Sequence, residues 1–552
     1  MTLWNIYPKL DEPNVLNDIS LSPLLKQILF NRNIEKEYVL EFLNPSTVGD
    51  PFKFQDMKKA IGRIESATAN KEKILVYGDY DVDGITGTSL LFDFLKTKMK
   101  ANVDPFLPSR FTDGYGLNSK RIKEAKENNY SLIITVDCGI RDIENVKLAN
   151  SLGIDVIITD HHLLDTKLPD AYAIIHPSLG YEYTDLTGAG VAFKLINALN
   201  NGKYDLSSYL DLVSLSIVCD VVPTIGENRY MLRKGIDIIN SKNRLGIKHL
   251  MSVSSVEVAD TYHLGFVLGP KLNAAGRLYD AFDGLNLLLS TDDNTAHKFA
   301  LKLHNMNMER QKIMRSSVEK AMKQINYSDN FNVVEDDNWN EGIVGLIAGR
   351  ITEETGKPTI ALTAKEGDLY TGSARSIKDF NIVEYLQMNS DILESFGGHK
   401  YAAGLKIRKK NIEKLRINLE NLAKKSFKNK SFDKVINIDS VINLEDITFD
   451  LYSELQVLKP YGVLNPEPVF LAQNTKVLLA YNVGENEKFV KMKISDKNGG
   501  VLFDAIWFSS VYSPKQIIDF SYVDLVFHID INEWNNKKTL QLKIIDLKAK
   551  II

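Results

Sequence analysis

Three short apolar runs, KILVYG (73–78), SLIITV (131–136) and IDVIIT (154–159), set the tightest limit on how this chain can fold. Each is rich in Val and Ile, and helix-length segments around 86–99 and 142–152 separate them. Such alternation indicates parallel strands buried on both faces in an α/β sheet. All three runs also end alike. KILVYG leads into Asp79, Asp81 and Asp83, SLIITV into Asp137, and IDVIIT into Asp160, His161 and His162. The carboxyl ends of parallel strands line one edge of an open sheet, where ligands bind. Alternate residues of an extended stretch point the same way, so Asp79, Asp81 and Asp83 are expected to converge from an extended segment.

Like charges this close repel one another, and folding alone does not require them. A divalent metal ion supplies the missing counter-charge. Mixed carboxylate and imidazole ligands favour Mn²⁺, Fe²⁺ or Zn²⁺ over Ca²⁺, with Mg²⁺ as a further option, and the ligands suffice for two ions. Taken singly, each residue has an ordinary role. An Asp after a strand forms turns or caps helices, and Asp220 in SIVCDVVPTIG reads the same way. The joint pattern argues for a metal site. D-x-D-x-D-G also opens a calcium EF-hand, but the twelfth position counted from Asp79 is Leu90 instead of Glu, and a strand-like run precedes it.

Elsewhere the chain changes character several times. Helical periodicity dominates 15–70 and returns over roughly 187–325, ending in the polar segment HKFALKLHNMNMERQKIMRSSVEKAMKQI (297–325). Strand signals resume over 331–405, with glycine clusters at GSARS (372–376) and FGGHKYAAG (396–404). The last stretch alternates short strands with turn residues and indicates a small all-β barrel. At 552 residues the chain exceeds what one core supports, so several domains are expected.

Cys138 and Cys219 lack a disulfide framework or zinc spacing, and a reducing cytoplasm fits best. MTLWNIYPKLDEPN lacks a signal-peptide pattern, and no apolar run approaches the ~20 residues that span a bilayer. The net charge of −4 gives no global attraction to nucleic acid, so a polyanion would need a local basic surface. KIRKKNIEKLRINLENLAKKSFKNK (406–430) is either such a surface or a solvated helix face.

DYDVDG, TVDCG, TDHH and IVCDVVP, in this order and spacing, resemble the four motifs of the DHH phosphoesterases. PSRFTDGYGL (108–117), GFVLGPKLNAAGRL (265–278), WNEGIVGLIAGRI (339–351), GSARS, FGGHKYAAGL and LKPYGVLNPEPVF (458–470) resemble, more narrowly, the RecJ-type single-strand-specific 5′→3′ DNA exonucleases. The resemblance runs from roughly residue 20 to the C-terminus. It implies a helical region (1–70), a DHH catalytic domain (71–225), a helical connector with a phosphate-contacting motif (226–328), a smaller α/β DHH-associated substrate-binding domain (329–430) and an OB-type barrel that binds single strands (431–552).

By the same resemblance, Asp79, Asp81, Asp83, Asp137, His161 and Asp220 would be the metal ligands. Asp137 would bridge two ions, typically Mn²⁺ with Mg²⁺ as the alternative, and His162 would sit beside the scissile phosphate. Arg110, Ser373 and Arg375 would line the 5′-end pocket, and Arg277 would contact phosphates. His399 is either a turn residue or a substrate contact. The implied activity is hydrolysis of single-stranded DNA to mononucleotides in repair and recombination. Implied partners are a single-strand-binding protein and a RecQ-type helicase, with no membrane involved.

Where the family commonly has Trp-His-Glu-Gly, this chain has Trp339-Asn340-Glu341-Gly342, which puts any DNA contact there in question. Trp339, Tyr461 and Trp534 could stack on bases, although such aromatics more often belong to cores. Smaller DHH enzymes acting on nanoRNA, cyclic dinucleotides or 3′-phosphoadenosine phosphate would need neither PSRFTDGYG nor a terminal barrel, and the substrate of a pyrophosphatase of the family needs no OB platform. A non-catalytic DNA-binding scaffold would be expected to have lost ligands.

Overall fold

Apolar β-branched runs become strands in this chain because both of their faces are covered. The computed structural model describes residues 2–10, 21–378, 380–427, 435–484, 487–534 and 537–550. The three runs form the strands Lys73–Tyr77, Tyr130–Val136 and Asp155–Thr159. Asn102–Phe106 and Ala173–Ile175 join them in a five-stranded, all-parallel sheet. Lys73–Tyr77 pairs with Asn102–Phe106 on one side and with Tyr130–Val136 on the other. The winding therefore reverses at this strand, and a crevice opens beyond the ends of Lys73–Tyr77 and Tyr130–Val136.

One sheet face packs Leu75, Ile133, Val156 and Ile158 against Ile122 and Val146 of helices Ser119–Glu127 and Ile143–Ser151. Helix Val82–Asp93, almost wholly buried, packs against helices Gly188–Asn200 and Leu210–Cys219. Further helices include Leu245–Val253, Gly269–Leu278, Phe282–Leu288 and the 30-residue Asp293–Met322, whose N-cap Asp292 accepts from the Thr295 N–H.

A mixed sheet follows in the order Leu393–His399, Ala402–Arg408, Leu369–Arg375, Thr359–Glu366, Asn332–Glu335. The basic stretch supplies helix Ile412–Ser426, which buries Ile412, Leu415, Leu419 and Ala423. Its Arg416 pairs with Glu413 and Glu335, so part of its charge is neutralised within the fold. Residues 428–430 of that stretch lie outside the described residues.

The chain divides into two compact units, 50–220 with 234–432, and 1–49 with 221–233 and 433–552. In the second unit, strands Phe470–Val483, Phe489–Ser495, Leu502–Trp507, Lys537–Lys550 and Tyr522–Trp534 pair in that order, and the last pairs back onto the first. This closes the barrel expected from the sequence. Residues 1–70 contain helices Pro23–Asn31, Val39–Leu43 and Met57–Ala69, but also strand Leu3–Ile6, which pairs in parallel with Val435–Ile438. A strand this short is stabilised by a partner at the far end of the chain, which local periodicity does not register. Residues 11–20 of the expected helical stretch lie outside the described residues. No described helix is long and apolar enough to cross a membrane.

Arg229 ties the barrel's unit together. Its fully buried guanidinium donates to the carbonyls of Phe42, Leu458, Lys459 and Pro460 and lies 4.1 Å from the Phe42 ring centre. Burial first, then Arg233 and Arg32, lowers its pKa to about 9, so it still carries its proton at neutral pH. Arg229→Met leaves these carbonyls without their donor and should destabilise this unit by about 1–3 kcal/mol, the cost of leaving buried acceptors unsatisfied. Urea unfolding measures it; a midpoint unchanged from wild type would contradict the role.

Candidate metal centre

The site is built from the ends of secondary structures. After Tyr77 the chain leaves its strand, and Asp81 caps helix Val82–Asp93, its Oδ1 accepting from the N–H groups of Asp83 (2.9 Å) and Gly84 (3.2 Å). Asp83 lies in that helix's first turn. The expected extended segment is therefore not what brings the three acids together: Asp79 precedes a strand-to-helix turn, Asp81 caps it and Asp83 follows it. The positive end of the helix dipole favours carboxylates there.

Asp83 is held from outside its own helix. Its oxygens accept from the N–H groups of Gly188 and Ala189, both at 2.7 Å, and from the Ser216 hydroxyl at 2.7 Å. An acid in one helix's first turn thus caps the N-terminus of Gly188–Asn200. Asp137 continues the strand ladder through its N–H to the Thr159 carbonyl, then turns with φ at 62°, a left-handed conformation uncommon for Asp. A Cβ at position 188 would lie 2.5 Å from the Cβ of Asp137, so only glycine admits this approach.

From the third strand, Asp160 accepts from the N–H groups of Ile140 (3.0 Å), His161 (2.7 Å) and His162 (3.1 Å). Its Oδ1 lies 2.7 Å from Nδ1 of His162. His161 Nε2 lies 3.1 Å from Asp137, 3.5 Å from Asp83 and 3.7 Å from Asp220. Ligand atoms cluster within 4.8 Å of one another in three sets: Asp79, Asp81 and Asp137; Asp83, His161 and Asp220; and Asp137, His161 and His162. All six residues carried over as ligands meet here, with Asp137 shared between sets.

Burial and mutual repulsion dominate the electrostatics. Burial, then Asp81, raises the pKa of Asp79; burial, then Asp83, raises that of Asp81. Asp137 is raised by burial, then by Asp83, Asp81, Asp79 and Asp220, and Asp220 is pushed up to about 8 by burial and then Asp83. Among the described residues, Oδ1 of buried Asp79 has no hydrogen-bond partner. A cluster of oxygen and imidazole donors in which burial and mutual repulsion oppose ionisation, with one orphaned oxygen, fits divalent cations. His162 differs: burial works to lower its pKa, but the hydrogen bond and charge of Asp160 raise it to about 9.

Positive charge collects beside the acids. Arg277, at the end of helix Gly269–Leu278, donates to the Gly342 carbonyl. Burial, then Arg110 and Arg310, lowers its pKa to about 10, with Arg375 adding to the effect and Asp81 opposing it. The Arg110 guanidinium stacks 4.1 Å from the Tyr80 ring centre, with its buried Nε unpartnered among the described residues. Ser373 Oγ and an Arg375 Nη both face Gly345, at the start of helix Val344–Thr355. Arg110, Arg277, Ser373 and Arg375 thus edge one basic recess, where unbalanced positive charge collects.

Several residues escaped the sequence reading. Asp160 stood in the quoted motif without a role. Tyr115, whose hydroxyl lies 3.1 Å from Nδ1 of His162, was visible only as part of PSRFTDGYGL. Arg310 came from a polar helix with no local mark. His399 is exposed at the end of its strand, where desolvation, then the charges of Arg141 and His162, lower its pKa. Asn340 turns its side chain onto the Gly342 N–H. Trp339 is buried among Ile343, Ile347 and Ile351, Tyr461 packs at the edge of the barrel core, and Trp534 is 74% exposed.

Family models match in three places: the DHH family N-terminal domain over 73–217, the DHHA1 domain over 328–425 and the RecJ OB domain over 438–546. Over 98% of its length the chain is 37% identical to the single-stranded-DNA-specific exonuclease RecJ of Bacillus subtilis (strain 168), covering 70% of that protein. The chain belongs to the RecJ family. It is also 30% identical to the RecJ of Haemophilus influenzae, covering 96% of both chains. The crystal structure of RecJ in complex with Mn²⁺ from Thermus thermophilus matches all of this chain and 80% of that one, with a TM-score of 0.87 at 26% identity. The acid and imidazole cluster of this RecJ-family chain has the donor groups that could hold divalent cations.

Because Asp160 holds the ring of His162 and raises its pKa, Asp160→Asn should lower kcat by about 10–100-fold, the range seen when such supporting partners are changed. Steady-state hydrolysis checks this, with cation affinity measured separately by titration calorimetry. An unchanged kcat would remove Asp160 from any supporting role.

Proposed function

We propose that this chain is a metal-dependent exonuclease that degrades single-stranded DNA 5′→3′, releases mononucleotides and acts in DNA repair and recombination. One observation carries the reading: a buried acid cluster and a basic recess adjoin, with Arg277 sensing both Asp81 and the other arginines. A polyphosphate strand with an anionic end complements that pair of fields. The closed barrel adds a platform type used for single strands, which favours long strands over dinucleotides.

Asp79, Asp81, Asp83, Asp137, His161 and Asp220 would hold the cations, two in number and preferably Mn²⁺. When bound, divalent cations supply Lewis-acid charge to the phosphate and make water nucleophilic near neutral pH. Arg110, Ser373 and Arg375 grip the terminal 5′-phosphate, which sets the polarity of digestion, while Arg277 orients the next phosphate toward the acids. His162, fixed by Asp160 through Nδ1, presents Nε2 to the leaving oxygen and to the charge that develops there. His399 faces the same side and serves as a substrate contact.

The same reading assigns catalysis to 71–225, the connector to 226–328, end recognition to 329–430 and strand holding to 431–552. It also assigns a cytoplasmic location and, as partners, a single-strand-binding protein and a RecQ-type helicase.

A digestion series with Mn²⁺ tests the function, comparing 5′-labelled single strands, blunt duplexes, dinucleotides and cyclic dinucleotides. Single strands should be shortened from the 5′ end with mononucleotides released. Preferential cleavage of cyclic dinucleotides would overturn the reading. Asp137→Ala should cost turnover at least about 10²–10³-fold, the scale on which a key electrostatic group acts, with the circular dichroism spectrum retained. Arg375→Ala should weaken use of 5′-phosphorylated ends about ten-fold or more, as loss of a charge-assisted hydrogen bond does. The 5′-hydroxyl strands should be much less affected, and equal losses on both ends would refute the end-binding role.

A further inference from the structure

Tyr262 and Phe266 are 61% and 73% exposed, and their rings stack with centroids 5.3 Å apart at 28°. Exposed aromatics one at a time are ordinary; this stacked pair, with the His263 ring edge-on to Tyr262 at 5.7 Å, leaves an apolar face turned to solvent. The pair stands where the helix is π-wound, His263–Leu268, just before Gly269–Leu278. The opposite face of this segment is fixed. Leu264 and Leu268 are buried, the Leu264 carbonyl accepts from Cys219 Sγ at 3.7 Å, and Cys219 adjoins Asp220.

Farther along, Asn273 accepts from the Val82 N–H at 3.1 Å, beside Asp81. A Cβ at position 276 would come within 2.4 Å of the Tyr80 carbonyl oxygen, so glycine is what lets the helix lie on the acid-bearing loop. Tyr262, Phe266, Asn273 and Arg277 follow one another at spacings of four, seven and four residues, close to whole helical turns, which keeps them on one side of the helix. That stripe begins in the basic recess at Arg277, passes the Asp81 turn at Asn273 and ends on the two exposed rings.

We infer that Tyr262 and Phe266 form a base-stacking platform for the part of a DNA single strand lying 3′ of the cleaved linkage. The inference rests on the proposed exonuclease function and extends its substrate site. The rings continue the recess and the acid turn along one helix, and ring faces accept any base, which suits an enzyme that must read every sequence. Phe266 lies eleven residues before Arg277, about 16 Å at ~1.5 Å per residue, or roughly five nucleotides at ~3.4 Å stacked spacing. Strands of three nucleotides would end short of it.

The test compares KM in Mn²⁺ for a 5′-phosphorylated thymidine trimer, a 12-mer, and a 12-mer with abasic sites at the third to sixth positions. Phe266→Ala should raise KM for the 12-mer about ten-fold more than for the trimer, on the scale of one lost base–aromatic stack. Phe266→Tyr should restore the wild-type value. Abasic sites should raise the wild-type KM similarly, and the alanine variant should show little further loss on that strand. Equal KM changes on trimer and 12-mer, or losses from the variant and abasic sites that simply add, would overturn the platform. So would a variant that changes oligomeric state while its DNA kinetics stay as in wild type, since the rings would then serve a protein contact. If the wild-type chain leaves every strand intact, the exonuclease reading itself fails. Digestion by wild type that Phe266→Ala matches on all three strands removes only the platform.

Discussion

Buried negative charge is the constraint around which the part of this chain that carries the parallel sheet is arranged. Asp79, Asp81, Asp83, Asp137 and Asp220 come from distant stretches into one largely buried cluster, where their charges raise the cost of ionising one another. Backbone amides fix their positions without cancelling their charge. Asp83 is held by Gly188 and Ala189, and Asp81 by its own helix start. The same bonds lock helix Val82–Asp93 against Gly188–Asn200, so fold and ligand cluster are one construction. Removing the repulsion would require either protons or cations, and the donor set is suited to cations.

Two buried arginine settings show how charge divides by role. Arg229, within the barrel's unit, spends its donors on carbonyls and leaves nothing for a ligand. Burial alone lowers the pKa of Arg375 and of Arg310, and no acid acts strongly enough there to reverse it. A buried cation whose field is satisfied inside the fold is structural. One whose field points into an open recess is available to phosphate. The acid cluster next to that recess gives the site two opposite excesses, which a strand phosphate with its cations can neutralise together.

Much of this was legible in advance. Val/Ile runs ending in acids gave the parallel sheet and its functional edge, and turn-punctuated strands gave the barrel. The six acid and imidazole residues that come together in the cluster were legible through their motifs. The local geometry was not: an extended run of alternating acids was expected, whereas Asp81 turned out to cap a helix, because capping satisfies free N–H groups that a strand does not offer. Strand Leu3–Ile6 escaped for want of a local signal. Arg310 and Asp160 escaped because their importance lies in what faces them, and an isolated Arg or Asp looks the same in either role.

The sequence by itself determined the strand and helix types, the presence of a metal-binding set and the family, because apolar periodicity and motif spacing are properties of neighbours along the chain. Only the tertiary structure decided which oxygens meet, that Asp137 is shared between clusters, that Trp339 is core and that Phe266 is not. Those outcomes depend on distances between segments far apart in the chain, and Coulomb repulsion, desolvation and packing act through such distances, which residue order does not encode directly.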